Sequence, residues 1–182
     1  MSIGTIGVLS PGDMGAAIGA VLTANGVDVV TSLQGRSELT KLRATEAHIR
    51  DVGGISEVIQ ASAMLLSVLV PSEAVSVAER VADSMVRTGR RPLFIECNAI
   101  APKTVGRIAT LIGDAGGILV DAGIIGAPPR HGSSTRLYCS GSDTSGFEEL
   151  AQHGLDIRIV GSRIGQASGL KMVYAASTKG TT

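Results

Sequence analysis

Residues 3–15 read Ile-Gly-Thr-Ile-Gly-Val-Leu-Ser-Pro-Gly-Asp-Met-Gly, and this stretch decides the fold. An apolar segment from Ile3 to Leu9 breaks at Ser10-Pro11-Gly12 and gives way to a helical pattern from Met14. The order is strand, tight turn, helix N-terminus. A helix start leaves backbone N–H groups without intrahelical partners and carries the positive end of the dipole, so such a turn can face an anion. The spacing follows G-x-G-x-x-G, the turn that seats a dinucleotide pyrophosphate. Gly12 lets the backbone approach the phosphates, and Gly15 lets the helix pack closely on the strand. Ser10 replaces the first glycine of the pattern. Ser10, Pro11, Gly12, Asp13, Met14 and Gly15 are therefore the candidate pyrophosphate-binding residues, although glycine-rich strand–helix turns also arise for steric reasons alone.

Working outward, apolar segments of strand length alternate with segments of helical period. Strands are expected at Thr5–Leu9, Asp28–Ser32, His48–Val52, Met64–Leu69, Pro92–Cys97 and Gly117–Ile124, then at Thr135–Ser140 and Asp156–Val160. Helices are expected at Asp13–Ala24, Ser37–Glu46, Ile55–Gln60, Pro71–Arg87 and Pro102–Ile112, with a short one at Thr144–His153 and a last one from Gly165 to Thr178. This alternation is that of a doubly wound, mostly parallel sheet covered on both faces. Residues 1–163 are expected to form one dinucleotide-binding domain and 164–182 to begin a further helix.

Composition narrows the function. The 182 residues are 44% apolar, enough for a sizeable core, and carry 16 basic and 16 acidic side chains. Two Phe, two Tyr and no Trp leave few stacking platforms, and the balanced charge gives no footprint for nucleic acid or an anionic membrane. Cys97 and Cys139 stand far apart, as expected of buried reduced thiols in a cytoplasmic protein. No metal-ligand spacing occurs. A small-molecule substrate is the expected partner. The last helix carries Leu170, Val173, Tyr174 and Ser177 on one face, with Met172, Ala175 and Ala176 beside it. Such a face docks on its own domain, opens a further domain or pairs with a second copy of the chain; a homodimer through this helix is the expectation.

The end of the second expected strand bears on cofactor choice. An NAD site places Asp or Glu there for the ribose 2′-hydroxyl. This chain has Thr31-Ser32-Leu33-Gln34-Gly35-Arg36-Ser37, with Asp28 at the opposite end of the strand. A guanidinium with hydroxyl donors suits a 2′-phosphate, so Arg36 and Ser37 point to NADP, with NAD the lesser alternative. A solvated loop arginine is the plainer account.

Four landmarks in order make the chain resemble the 3-hydroxyacid dehydrogenases, the family of 6-phosphogluconate and 3-hydroxyisobutyrate dehydrogenases. They are Ser10-Pro11-Gly12-Asp13-Met14-Gly15, Val70-Pro71 at a strand end, Glu96-Cys97-Asn98-Ala99-Ile100-Ala101-Pro102, and Gly165-Gln166-Ala167-Ser168-Gly169-Leu170-Lys171. The resemblance implies that Val70 and Pro71 run along the cofactor and that Asn98 lies near the nicotinamide. It is the resemblance, not the pattern of segments, that implies an all-helical domain beyond the helix begun at 164–182. It also makes Lys171 the general acid/base in hydride transfer between nicotinamide and a small hydroxy acid or its carbonyl counterpart. The family's substrate loop corresponds to Gly123, Ile124, Ile125 and Gly126, where Ile125 replaces a serine. Ala175 replaces the asparagine one turn past the lysine. These departures look closer to a branch with a Gly-Ile-Ile-Gly loop and leave imine reduction, or cofactor binding without turnover, as alternatives. Glu96 is read as a strand-edge residue or a partner to the site. Arg130 and His131 belong to a solvated loop or hold a substrate carboxylate.

Overall fold

The computed structural model describes residues 3–130 and 135–179. One eight-stranded sheet organises them. Its strands are β1 (Ile6–Leu9), β2 (Val29–Thr31), β3 (Arg50–Asp51), β4 (Met64–Ser67), β5 (Leu93–Glu96), β6 (Leu119–Ile125), β7 (Arg136–Ser140) and β8 (Asp156–Gly161). They lie in the order β3-β2-β1-β4-β5-β6-β7-β8. The first six are parallel, β7 runs antiparallel to β6, and β8 is parallel to β7. Neighbouring parallel strands need crossovers, and helices supply them.

Those helices are α1 (Asp13–Ala24), α2 (Glu38–Glu46), α3 (Ile55–Ala61), α4 (Ala74–Thr88), α5 (Pro102–Asp114), α6 (Ser145–Glu148) and α7 (Gln166–Lys179). Two cores follow from the alternation of side chains along the strands. On one face Ile6, Val8, Leu66, Ile95, Val120 and Ala122 pack with Ile18 and Leu22 of α1 and Phe147 of α6. On the other, Leu9, Leu65 and Phe94 pack with Ile59 of α3, Val77 and Val81 of α4, and Ile108 of α5. Strands buried on both sides explain the near-continuous apolar runs.

Most expected elements are present, α1 to the residue, and the exceptions have local causes. The third strand shrinks to Arg50–Asp51, because His48 adopts a left-handed conformation (φ 54°) that closes α2 instead of opening a strand. Pro71–Glu73 forms a 3₁₀ turn before α4 starts at Ala74. The short helix near 150 is one α turn followed by a 3₁₀ turn, Glu149–His153. Strand β6 reaches Ile125, so Gly123, Ile124 and Ile125 lie within a strand and only Gly126 opens the loop. Cys97 and Cys139 are free and buried, as expected.

Candidate cofactor and catalytic site

The C-terminal ends of the parallel strands share one edge, and chain order reverses between β1 and β4. Ligands of open α/β sheets bind at that switch point. A cavity of 370 Å³ opens there, walled by Leu9 of β1 and Ser10 just after it, Ser32, Gln34, Gly35 and Arg36 beyond β2, and Leu69 and Val70 beyond β4. Ile55 from α3, Glu73 from the 3₁₀ turn before α4, and Val77 and Arg80 from α4 complete it. The wall thus combines an apolar slot with two guanidinium groups. Among the described residues neither Arg36 nor Arg80 has a side-chain hydrogen bond or ion pair.

The turn after β1 is held by sterics. Ser10 has φ 69°, the left-handed region that an L residue other than glycine adopts at a cost of about 1–2 kcal/mol. Its carbonyl accepts from the Gly12 N–H at 2.8 Å. A Cβ on Gly15 would stand 2.8 Å from the Ser10 carbonyl oxygen, so only glycine allows α1 this close to the turn. Above Gly12 nothing lies within 4 Å of that position, leaving room for a ligand over the helix start. Pro11 is buried and Met14 packs against the core, so both shape the turn from inside. Asp13 is ion-paired with Arg130 and lies 3.5 Å from Arg43. That pairing engages the Arg130 guanidinium considered for a substrate carboxylate and ties the loop after β6 to α1; His131 lies outside the described residues.

At β2, Arg36 lines the cavity but Ser37 does not. The Ser37 hydroxyl instead caps α2, accepting from the Thr40 N–H at 3.3 Å. Asp28 bonds Thr5 and Arg50 at the far end of the strand, and no acidic side chain from β2 or the turn after it lines the cavity. Val70 lines the cavity and Pro71 starts the 3₁₀ turn beside it.

Beneath the edge lies a polar row that sequence reasoning missed. Ser67 on β4, Glu96 on β5, Asp121 on β6 and Ser140 on β7 are register partners across successive strands, and all four are buried. Glu96 is therefore no strand-edge residue; it stands in the middle of the sheet. Its Oε1 accepts from the Asn98 N–H at 2.9 Å, while Oε2 has no partner. Burial pushes its pKa up from 4.5 to about 7, against the lowering effect of bonds from Asn98 and Ser67 and with a further push from Asp121. Asn98 is buried too. Its Nδ2 donates to Ser67 Oγ at 3.0 Å and its Oδ1 accepts from the Leu69 N–H. Through these two bonds the Asn98 amide ties the ends of β4 and β5. The sequence signal was the matching polar end of three apolar runs: Leu65-Leu66-Ser67, Phe94-Ile95-Glu96 and Leu119-Val120-Asp121.

Asp121 anchors α7. Its Oδ2 accepts from the N–H groups of Gly165 at 2.9 Å and Ser168 at 3.0 Å, and its Oδ1 accepts the Ser168 hydroxyl. Ser140 Oγ accepts from the Ala167 N–H at 3.0 Å. A buried carboxylate at a helix N-terminus satisfies the orphan donors and complements the dipole. Further along, α7 crosses β6 over Gly123, where an added Cβ would meet the Ala167 carbonyl oxygen at 3.0 Å and Lys171 Cβ at 3.1 Å. Gly123 is thus where the helix rests. Ile124 turns its side chain into the core and offers its carbonyl, which accepts from Lys171 Nζ. Ile125 alternates to the α7 face, half-buried, and Gly126 is exposed. Lys171 is half-buried, and burial lowers its pKa from 10.5.

The open space over Gly12, the close-packed Gly15 and the cationic, apolar-walled cavity fit a dinucleotide laid across the switch point, with Lys171 further along the same edge. The class is that of dinucleotide-binding Rossmann domains. The model of the NAD-binding domain of 6-phosphogluconate dehydrogenase matches residues 2–156, and the chain belongs to that family. An uncharacterized 28.5 kDa protein of Methanothermus fervidus is 28% identical over 153 residues, 84% of this chain and 57% of its own. A solved structure of a conserved protein of unknown function, described as similar to 3-hydroxyacid dehydrogenases, has 32% identity and a TM-score of 0.84 and covers 97% of this chain and 65% of its own. An imine reductase from Myxococcus stipitatus, solved with NAD+, shares the fold at 22% identity and a TM-score of 0.78, covering 98% of this chain and 61% of its own. The chain thus spans less than two thirds of the length of these proteins. Among the described residues there is no group of three or more His, Cys, Asp or Glu that could hold a metal, and no helix long and apolar enough to cross a membrane.

Proposed function

We propose that this chain is the cofactor domain of an NADP-dependent oxidoreductase acting on a small hydroxy acid or its carbonyl counterpart. The observation that carries the cofactor choice is Arg36 on a cavity where no acidic residue follows β2. An acidic side chain there would accept from a ribose 2′-hydroxyl and repel a 2′-phosphate; a guanidinium does the reverse. When bound, the nicotinamide accepts or supplies the hydride. The chain handles the proton: Lys171 Nζ takes it from the substrate hydroxyl as the carbonyl forms, or returns it in reduction. Partial burial favours this role by raising the share of neutral amine. The Ile124 carbonyl orients the amine, and Asn98 holds the β4 and β5 ends facing the cofactor. Gly123 seats the helix that carries Lys171, and the exposed Gly126 gives close backbone approach for substrate. The apolar Ile125 on the same face supports imine reduction as a second reading.

Calorimetric titration with NADPH and with NADH tests the cofactor. Preferential NADPH binding, weakened by Arg36→Ala, is the expected result; equal binding of both overturns the NADP assignment, and binding of neither overturns the site. Where turnover is detected, Lys171→Met should abolish it while leaving NADPH affinity within about twofold. Retained turnover in that variant would remove the proton-transfer role, and cofactor binding with no turnover on hydroxy acids, carbonyls or imines would favour a binding module.

A further inference from the structure

The cavity at the switch point holds a second cation that no motif announces. Arg80 projects from α4, a different element from the one that supplies Arg36, and both line the same 370 Å³ space. Arg80 follows Val77 by three residues on α4, and both line the cavity together with Glu73, the last residue of the preceding 3₁₀ turn. Val77, Leu69 and Ile55 contribute apolar lining, and Ser32, Gln34 and Arg36 contribute polar lining. Two guanidiniums lining one cavity, neither with a side-chain partner among the described residues, are poorly matched to a neutral ribose hydroxyl and well matched to a phosphate monoester. Such a group carries more than one negative charge at neutral pH and accepts several hydrogen bonds. Glu73 is the opposing charge on the wall.

We propose that Arg80 is a specificity-determining residue that closes over the 2′-phosphate of the cofactor from the α4 side, opposite Arg36. This rests on the NADP reading above and deepens it: the phosphate is held between two elements, the turn after β2 and the second turn of α4. Arg80 is exposed, so truncating it removes charge without opening the core.

The test uses the full chain with four probes: NADPH, NADH, 2′-AMP and 5′-AMP. Arg80→Ala should weaken NADPH and 2′-AMP about 10- to 100-fold, the loss expected for a charge-assisted contact, and leave NADH and 5′-AMP within about twofold. Arg80→Lys should recover part of the loss, and Arg80→Gln serves if the alanine variant melts early. An equal loss for all four probes would assign Arg80 to stacking on the adenine and overturn the proposal. Unchanged NADPH affinity in Arg80→Ala would also overturn it, while leaving the Arg36 site standing. Failure of the unsubstituted chain to bind any probe would sink the dinucleotide reading itself, and this inference with it.

Discussion

Asp121 and Ser168, 47 residues apart, are joined twice: the Ser168 N–H donates to Asp121 Oδ2 at 3.0 Å and its hydroxyl donates to Oδ1. With Gly165 N–H and Ser140 Oγ also on that carboxylate, four donors converge on one buried side chain. The helix carrying Lys171 is positioned from beneath the sheet edge. Asp121→Ala should therefore cost about 3 kcal/mol of stability, since it strands buried donors. Urea unfolding measures the loss, and amide exchange over 165–179 should rise with it. A variant within about 0.5 kcal/mol of the parent, with α7 still protected, would contradict the anchoring role.

Glu96 makes stability depend on pH. Its folded pKa of about 7 lies above the ordinary 4.5, so the folded state binds the proton more tightly than the unfolded one. Its contribution is fully present below about pH 4.5 and is lost as pH rises to 7, by roughly 3 kcal/mol across that window. Glu96→Gln should flatten this slope, matching the parent near pH 4 and exceeding it at pH 8. Denaturation midpoints at both pH values decide it; parallel profiles for the two proteins would show that Glu96 is ionised in the fold.

Ser10 carries backbone strain at the head of the cofactor turn. Ser10→Gly exchanges a left-handed cost of about 1–2 kcal/mol for the extra unfolded-state entropy of glycine, about 0.5–1 kcal/mol. A net gain of about 0.5–1 kcal/mol should raise the melting temperature by about 2 °C. A fall in the melting temperature would mean that the serine side chain contributes more than its backbone costs.

The apolar residues expected to pair two chains stand out from α7: Leu170, Met172, Val173 and Tyr174 are exposed, Val173 at 69%. We propose that they mediate self-association. Sedimentation should find a dimer that Val173→Glu dissociates; a parent chain that is monomeric at tens of micromolar would end the idea.

The turn at 10–15 and the alternation of apolar runs were legible because they are local. A strand, a turn and a helix start are specified by neighbours in sequence, and Gly15 is required by an atom five residues away, the Ser10 carbonyl oxygen. Strand ends were less legible: His48 turns left-handed where a strand was expected, and β6 starts at Leu119 and runs to Ile125 where Gly117–Ile124 was expected. The resemblance singled out Asn98 at the end of a strand, but not that its amide joins Leu69 and Ser67 of the neighbouring strand end, 29 and 31 residues away.

The sequence by itself determined the layered parallel fold, the cofactor turn, the absence of an acid after β2 and the place of Lys171 on a helix. Only tertiary structure decided that Arg80 faces the same cavity as Arg36, that Ser67, Glu96, Asp121 and Ser140 form one buried row, and that Asp121 holds α7. The reason is distance along the chain. Hydrophobic period and turn chemistry act over a few residues, whereas these relationships join groups tens of residues apart. They exist only once strand order and register have brought the groups together.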